Sequence, residues 1–104
     1  MSNTTTTIKI GDIWRVSWGI EQTNVDFYEV TRTTATMVTL TPIDQRDEHD
    51  GNMGGHTVPI VGKYTGKPVR RMVKWYGGEP YAYLSDYEIA RPWNGKPAYF
   101  TTYA

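Results

Sequence analysis

The chain has 104 residues, eleven Lys and Arg against eleven Asp and Glu, and no cysteine. Its length allows one domain, its balanced charge gives no argument for attraction to DNA or a membrane, and the missing thiol excludes disulfides, thiolate catalysis and Cys-based zinc sites. Eight Tyr and four Trp within a 38% hydrophobic composition point to a small core of aromatic and β-branched residues, better suited to a binding surface than to a deep, dry cavity.

Residues 1–7 (MSNTTTT) read as a disordered N-terminal tail, because the Thr run has nothing to pack against, and 8–104 read as a single β-barrel domain. The first periodic run is Ile8 to Trp18, with Trp14, Val16 and Trp18 on one strand face. Gly19 to Asn24 is a polar loop. Val25 to Thr31 is the second strand, with Phe27 and Tyr28 on opposite faces unless a bulge intervenes. A turn over Arg32 to Ala35 leads to a third strand, Thr36 to Leu40, whose end Pro42 weakens.

Asp44 to His56 (DQRDEHDGNMGGH) reads as a long acidic, glycine-rich loop that is expected to be mobile. Its two histidines and several carboxylates match no metal-ligand spacing, so no metal or other cofactor is expected. Thr57 to Val61 is a short strand, and Pro59 argues for a sheet edge there. Val69 to Tyr76 (VRRMVKWY) is the strongest strand; Val69, Arg71, Val73 and Trp75 share one face, and Arg70, Met72, Lys74 and Tyr76 the other. Gly77-Gly78 is a hairpin turn, since glycine takes positive φ freely, and Tyr81 to Leu84 returns as the partner strand. Ser85 with Glu88 three residues on has the capping-box pattern, which predicts one short helical turn before Arg91-Pro92 stops it. Residues 93–104 (WNGKPAYFTTYA) form a tail too aromatic for disorder, and it is expected to pack on the barrel or on a partner.

Five to seven short strands and no long helix signal make this an all-β chain, expected to close into a small antiparallel barrel. The stretch WYGGEPYAYLSDYEIA has the rhythm of an SH3-like barrel: an aromatic pair, a tight turn, a strand, one helical turn and a last strand. Charge is unevenly spread. Residues 1–60 hold four basic and eight acidic groups, net −4, and residues 61–104 hold seven and three, net +4.

Two blocks occur together: Gly11-Asp12-Ile13 leading to Ser17-Trp18-Gly19-Ile20-Glu21-Gln22-Thr23-Asn24-Val25-Asp26-Phe27-Tyr28, and Tyr76-Gly77-Gly78-Glu79-Pro80-Tyr81 leading to Pro92-Trp93-Asn94-Gly95-Lys96-Pro97. The pair resembles a family of small proteins of bacteriophages, prophages and mobile elements, over most of the chain apart from the Thr-rich start and the acidic loop. The resemblance implies a phage-type origin and a cytoplasmic life inside a bacterial host cell. It brings no catalytic residue or cofactor with it. It favours work on a host macromolecular complex, above all inhibition of a defence system of the CRISPR or restriction kind. The start of the chain lacks a basic-then-apolar leader pattern and no apolar run has membrane-spanning length, which agrees with a cytoplasmic place away from membranes.

Two constellations are site-like. Trp18, Gln22, Thr23, Asn24 and Asp26, extended by Tyr28, combine amide, hydroxyl and carboxylate groups with aromatic faces and suit contact with a protein or protein–nucleic-acid partner. The bland alternative is a hairpin loop that caps its own backbone. Arg70, Arg71, Lys74 and Tyr76 interleave basic and aromatic groups, as barrels that stack single-stranded bases do; the bland alternative is an amphipathic strand with snorkelling stems. A sequestering site for a small nucleotide-type ligand is a further reading of the same aromatics. No Ser-His-Asp order and no carboxylate pair of defined separation is legible, so an enzyme is not expected.

Overall fold

A computed structural model describes residues 7–19, 23–50 and 54–101. Most of the expected N-terminal tail, together with Gln22 and Tyr103, lies outside the described residues. Nine strands are present among the described residues: β1 (Ile13–Trp18), β2 (Asn24–Thr33), β3 (Met37–His49), β4 (Gly54–Tyr64), β5 (Val69–Met72), β6 (Lys74–Tyr76), β7 (Glu79–Tyr83), β8 (Ile89–Pro92) and β9 (Ala98–Thr101). They form an all-β, curled antiparallel sheet, a half-barrel, in the order β6-β7-β8-β1-β2-β3-β4-β9, with β5 also paired to β3. Among the described residues no helix is long and apolar enough to cross a membrane.

Alternation along β1, β2 and β3 explains two separate cores. Even positions on β1, Trp14 and Val16, join Val30, Val38, Leu40, Ala82 and Ala90 in one buried cluster. Odd positions on β2, Val25 and Phe27, join Ile43, Ala98 and Phe100 in a second. Successive side chains leave a strand on opposite faces, so the two clusters cover the two sides of the β1–β2–β3 sheet. Phe27 and Tyr28 do face opposite ways: Phe27 is in the second core, and Tyr28 packs against the first. In the first core the large Trp14 meets the small Ala82 and Ala90, all fully buried, which lets β7 and β8 curl over it.

Several expectations shift for identifiable reasons. The third strand does not end at Pro42, because β3 changes partner there. Residues 37–40 pair with β5 and residues 43–49 with β4. Pro42 sits in the gap, where its missing N–H removes no ladder bond and its carbonyl accepts from Thr65 N at 2.9 Å. The acidic stretch is not an open loop: β3 and β4 make a long hairpin arm, Gln45 to His49 pairing with Pro59 to Gly55. Gly55 permits that closeness, since a Cβ there would lie 2.0 Å from the Glu48 carbonyl oxygen. Pro59 lies beyond the residues of β4 that pair with β9, on an edge as expected.

The run from Val69 to Tyr76 is two strands, broken at Val73, whose N–H bonds the Thr36 carbonyl at 2.9 Å. Gly77 and Gly78 turn at φ 59° and 83°, as a two-residue hairpin needs. The helical turn expected over 85–90 is not formed. Leu84 N bonds the Glu88 carbonyl at 2.8 Å, from residue i to i+4 and so opposite in sense to a helix, and Ser85 Oγ bonds Glu88 Oε1 at 2.9 Å. The pair closes the β7–β8 bend instead.

The described part of the aromatic tail, residues 93–101, packs on the sheet. Trp93 meets Phe27 edge to face with centroids 5.6 Å apart, its Nε1–H donates to the Lys96 carbonyl at 2.7 Å, and Phe100 is 7% exposed. Thr101 N bonds the Thr23 carbonyl at 3.0 Å, which ties β9 back to the start of β2.

Candidate functional site

Paired residues in an antiparallel ladder share a face, so the registers define what the outside of the half-barrel carries. On β6 and β7, Lys74 stands opposite Tyr81 and Tyr76 opposite Glu79. Tyr83 stands opposite Ile89 on β8, and Arg91 opposite Arg15 on β1. Alternation places all of these on the outer side, while Ala82, Ala90 and Val16 fill the inner one. Tyr81 and Tyr83 touch edge to face, centroids 5.8 Å apart. Two grooves of ≈ 410 and ≈ 540 Å³ open along this face; both include Ile89, Arg91 and Pro92, so they form one surface.

Arg15 and Arg91 are direct cross-strand neighbours, which is an unfavourable placement for like charges. Arg15 bonds the Ser17 hydroxyl, and neither guanidinium has an acidic partner among the described residues. Tyr76 at 82% and Tyr87 at 72% exposure add two more rings at the ends of the face. Phenol rings beside unpaired guanidinium groups can stack planar groups and hold anions.

The basic residues singled out in the sequence divide between environments. Lys74 and Tyr76 belong to this face. Arg70 is exposed on the outer side of β5, opposite Thr39. Arg71 turns inward: its guanidinium donates to the carbonyls of Arg70 at 2.9 Å and Leu84 at 3.5 Å, so it does not contribute to the outer surface. Sequence reasoning missed Arg15, Tyr81, Tyr83 and Arg91. Each alternates with a core residue, a signal that was present, but their meeting depends on the non-local β1–β8 pairing.

The loop constellation is also rearranged. Trp18 stands opposite Asn24, and its Nε1–H donates to Asp26 Oδ2 at 2.8 Å, leaving the indole 37% exposed. Trp18, Asn24, Asp26 and Tyr28 share the inner face of the sheet. Thr23 is occupied by the tail, its N–H bonding Thr101 Oγ1 at 2.6 Å. Burial pushes the Tyr28 phenol above its ordinary value; Asp26 and Glu88 push the same way, and Arg71 opposes them.

On the hairpin arm His49 and His56 lie on opposite faces, His49 against Phe100 and His56 against Tyr99. His56 Nδ1 is 3.4 Å from Asp50. Where β4 leaves the arm, Glu29 is nearly buried and accepts bonds from Tyr64 Oη at 2.8 Å and Gly62 N at 3.2 Å. That bond to Glu29, then burial and the nearby charge, holds the Tyr64 phenol above its usual range.

No family model, no curated protein and no solved structure matches the chain.

Proposed function

We propose that the chain is a non-catalytic binding protein on a small SH3-like barrel, and that its outer β6–β7–β8–β1 face takes a single-stranded nucleic acid. The observation that carries this reading is the Arg15–Arg91 cross-strand pair, unpaired with any acid among the described residues and flanked by Tyr81 and Tyr83. Two adjacent guanidinium groups destabilise a bare sheet and are compensated by a bound phosphate. Base stacking on a tyrosine supplies about 1–3 kcal/mol and is indifferent to sequence. With no net charge on the chain, affinity must come from this local patch rather than from the overall field.

The test is fluorescence anisotropy of a labelled single-stranded oligonucleotide against salt. Binding should weaken log-linearly with a slope of about −0.7 for each phosphate engaged. Arg15→Ala with Arg91→Ala should remove about two phosphates' worth of that slope, and Tyr81→Ala with Tyr83→Ala should weaken binding with the slope intact. Absence of binding at low salt would overturn the reading.

A second reading is favoured by Trp18, a half-exposed ring fixed by Asp26. On it, the protein lies in a bacterial cytoplasm and occludes a host protein or protein–nucleic-acid complex through that rim, as a counter-defence inhibitor. Rigid aromatic anchors of this kind concentrate interface energy. Trp18→Ala should then abolish capture of the host complex while oligonucleotide affinity is unchanged.

A further inference from the structure

We propose that the strand held on the tyrosine face continues past Lys74 onto a second phosphate site, made by Arg32, Thr39 and Arg70. The inference rests on the nucleic-acid reading above and extends its footprint across β5 to β3 and β2.

Thr39 stands opposite Arg32 on β2 and opposite Arg70 on β5. The three therefore form one row on one face, with two guanidinium groups on either side of a hydroxyl. Strands lie about 4.8 Å apart, so the two arginine backbones are roughly 10 Å from each other. That separation lets both long side chains converge on an anion above Thr39. The ladder slips between Val30 and Arg32, and the slip brings Arg32 onto the Thr39 side. Both arginines are exposed, and neither has an acidic partner among the described residues. They line one groove of ≈ 250 Å³ together with Thr33, Thr34, Met37 and Thr39.

The row is joined to the tyrosine face by a continuous ridge. Exposure alternates without interruption from Val69 to Lys74, so Arg70, Met72 and Lys74 all point outward across the break at Val73. Two residues of extended chain advance at most about 6.7 Å, so the Lys74 backbone lies within about 13 Å of that of Arg70. Met72, 59% exposed between them, offers an apolar platform for an intervening base. Lys74 in turn stands opposite Tyr81.

The experiment compares oligothymidylates of about four and about twelve nucleotides, one at the bottom and one well inside the range that small barrels occupy. Wild-type protein should bind the longer one more tightly than its extra sites alone explain. Arg32→Ala with Arg70→Ala should weaken the longer oligonucleotide at least about tenfold, reduce the magnitude of its salt slope by about 1.4, and leave the shorter one within about twofold. Arg32→Lys with Arg70→Lys should restore most of the slope, which separates charge from a folding defect. An equal loss at both lengths, or no loss at either, overturns the second site. Failure of the wild-type protein to bind at any length overturns the tyrosine-face reading itself.

Discussion

Phe100→Ala tests whether the tail is part of the fold. The ring is 7% exposed and sits in the second core with Val25, Phe27, Ile43 and Ala98. Truncating a buried Phe costs about 3–5 kcal/mol, and the lower value fits a terminal strand that can relax into the space. A domain of this size has about 5–15 kcal/mol to lose, and each kcal/mol shifts Tm by about 4–8 °C. The expected fall is therefore about 12–24 °C by circular dichroism. Tyr99→Ala is the matched control: Tyr99 is 54% exposed, turned to the other face against His56, and worth less than about 1 kcal/mol. If Phe100→Ala lowers Tm no more than Tyr99→Ala, β9 does not hold the second core and the packing argument fails.

Ala90→Leu should destabilise by about 1–3 kcal/mol, read as a lower denaturation midpoint, because Ala90 is fully buried in the cluster that Trp14 fills. Alkaline stability should depend on Tyr64. Its folded pKa is raised above 10.0, so the neutral phenol is the form the fold favours. That contribution is complete below pH 10.0 and is lost as pH rises through the raised value. Tyr28 shifts in the same direction. Tyr64→Phe should lower Tm at neutral pH and flatten, without abolishing, the loss of Tm above about pH 10; an unchanged alkaline limb contradicts the Glu29 hydrogen bond as its cause.

Much of the local chemistry was legible in the sequence where neighbours in the chain are neighbours in space. The Gly77-Gly78 turn, the opposed faces of Phe27 and Tyr28, the edge position of Pro59 and the packing of the tail all follow from such rules. Non-local pairing was not legible. Pro42 marks a change of partner on β3 rather than its end, and nothing nearby in the chain signals that β5 and β4 share one edge. The Ser85–Glu88 pattern suits a helix start, yet the Tyr83–Ile89 pairing captures the same two side chains for a bend. The outer face was half visible for the same reason: Lys74 and Tyr76 lie in one strand run, whereas Arg15 and Arg91 are brought together only by the β1–β8 ladder.

Single-strand binding by the outer face is read most directly from an amide chemical-shift titration with a short single-stranded oligonucleotide. The largest shifts should fall at residues 15–17, 74–76, 79, 81–83 and 89–91, with loss of those shifts in Arg15→Ala/Arg91→Ala. Shifts confined to Trp18, Asn24 and Asp26, or none at an oligonucleotide excess in low salt, would contradict it.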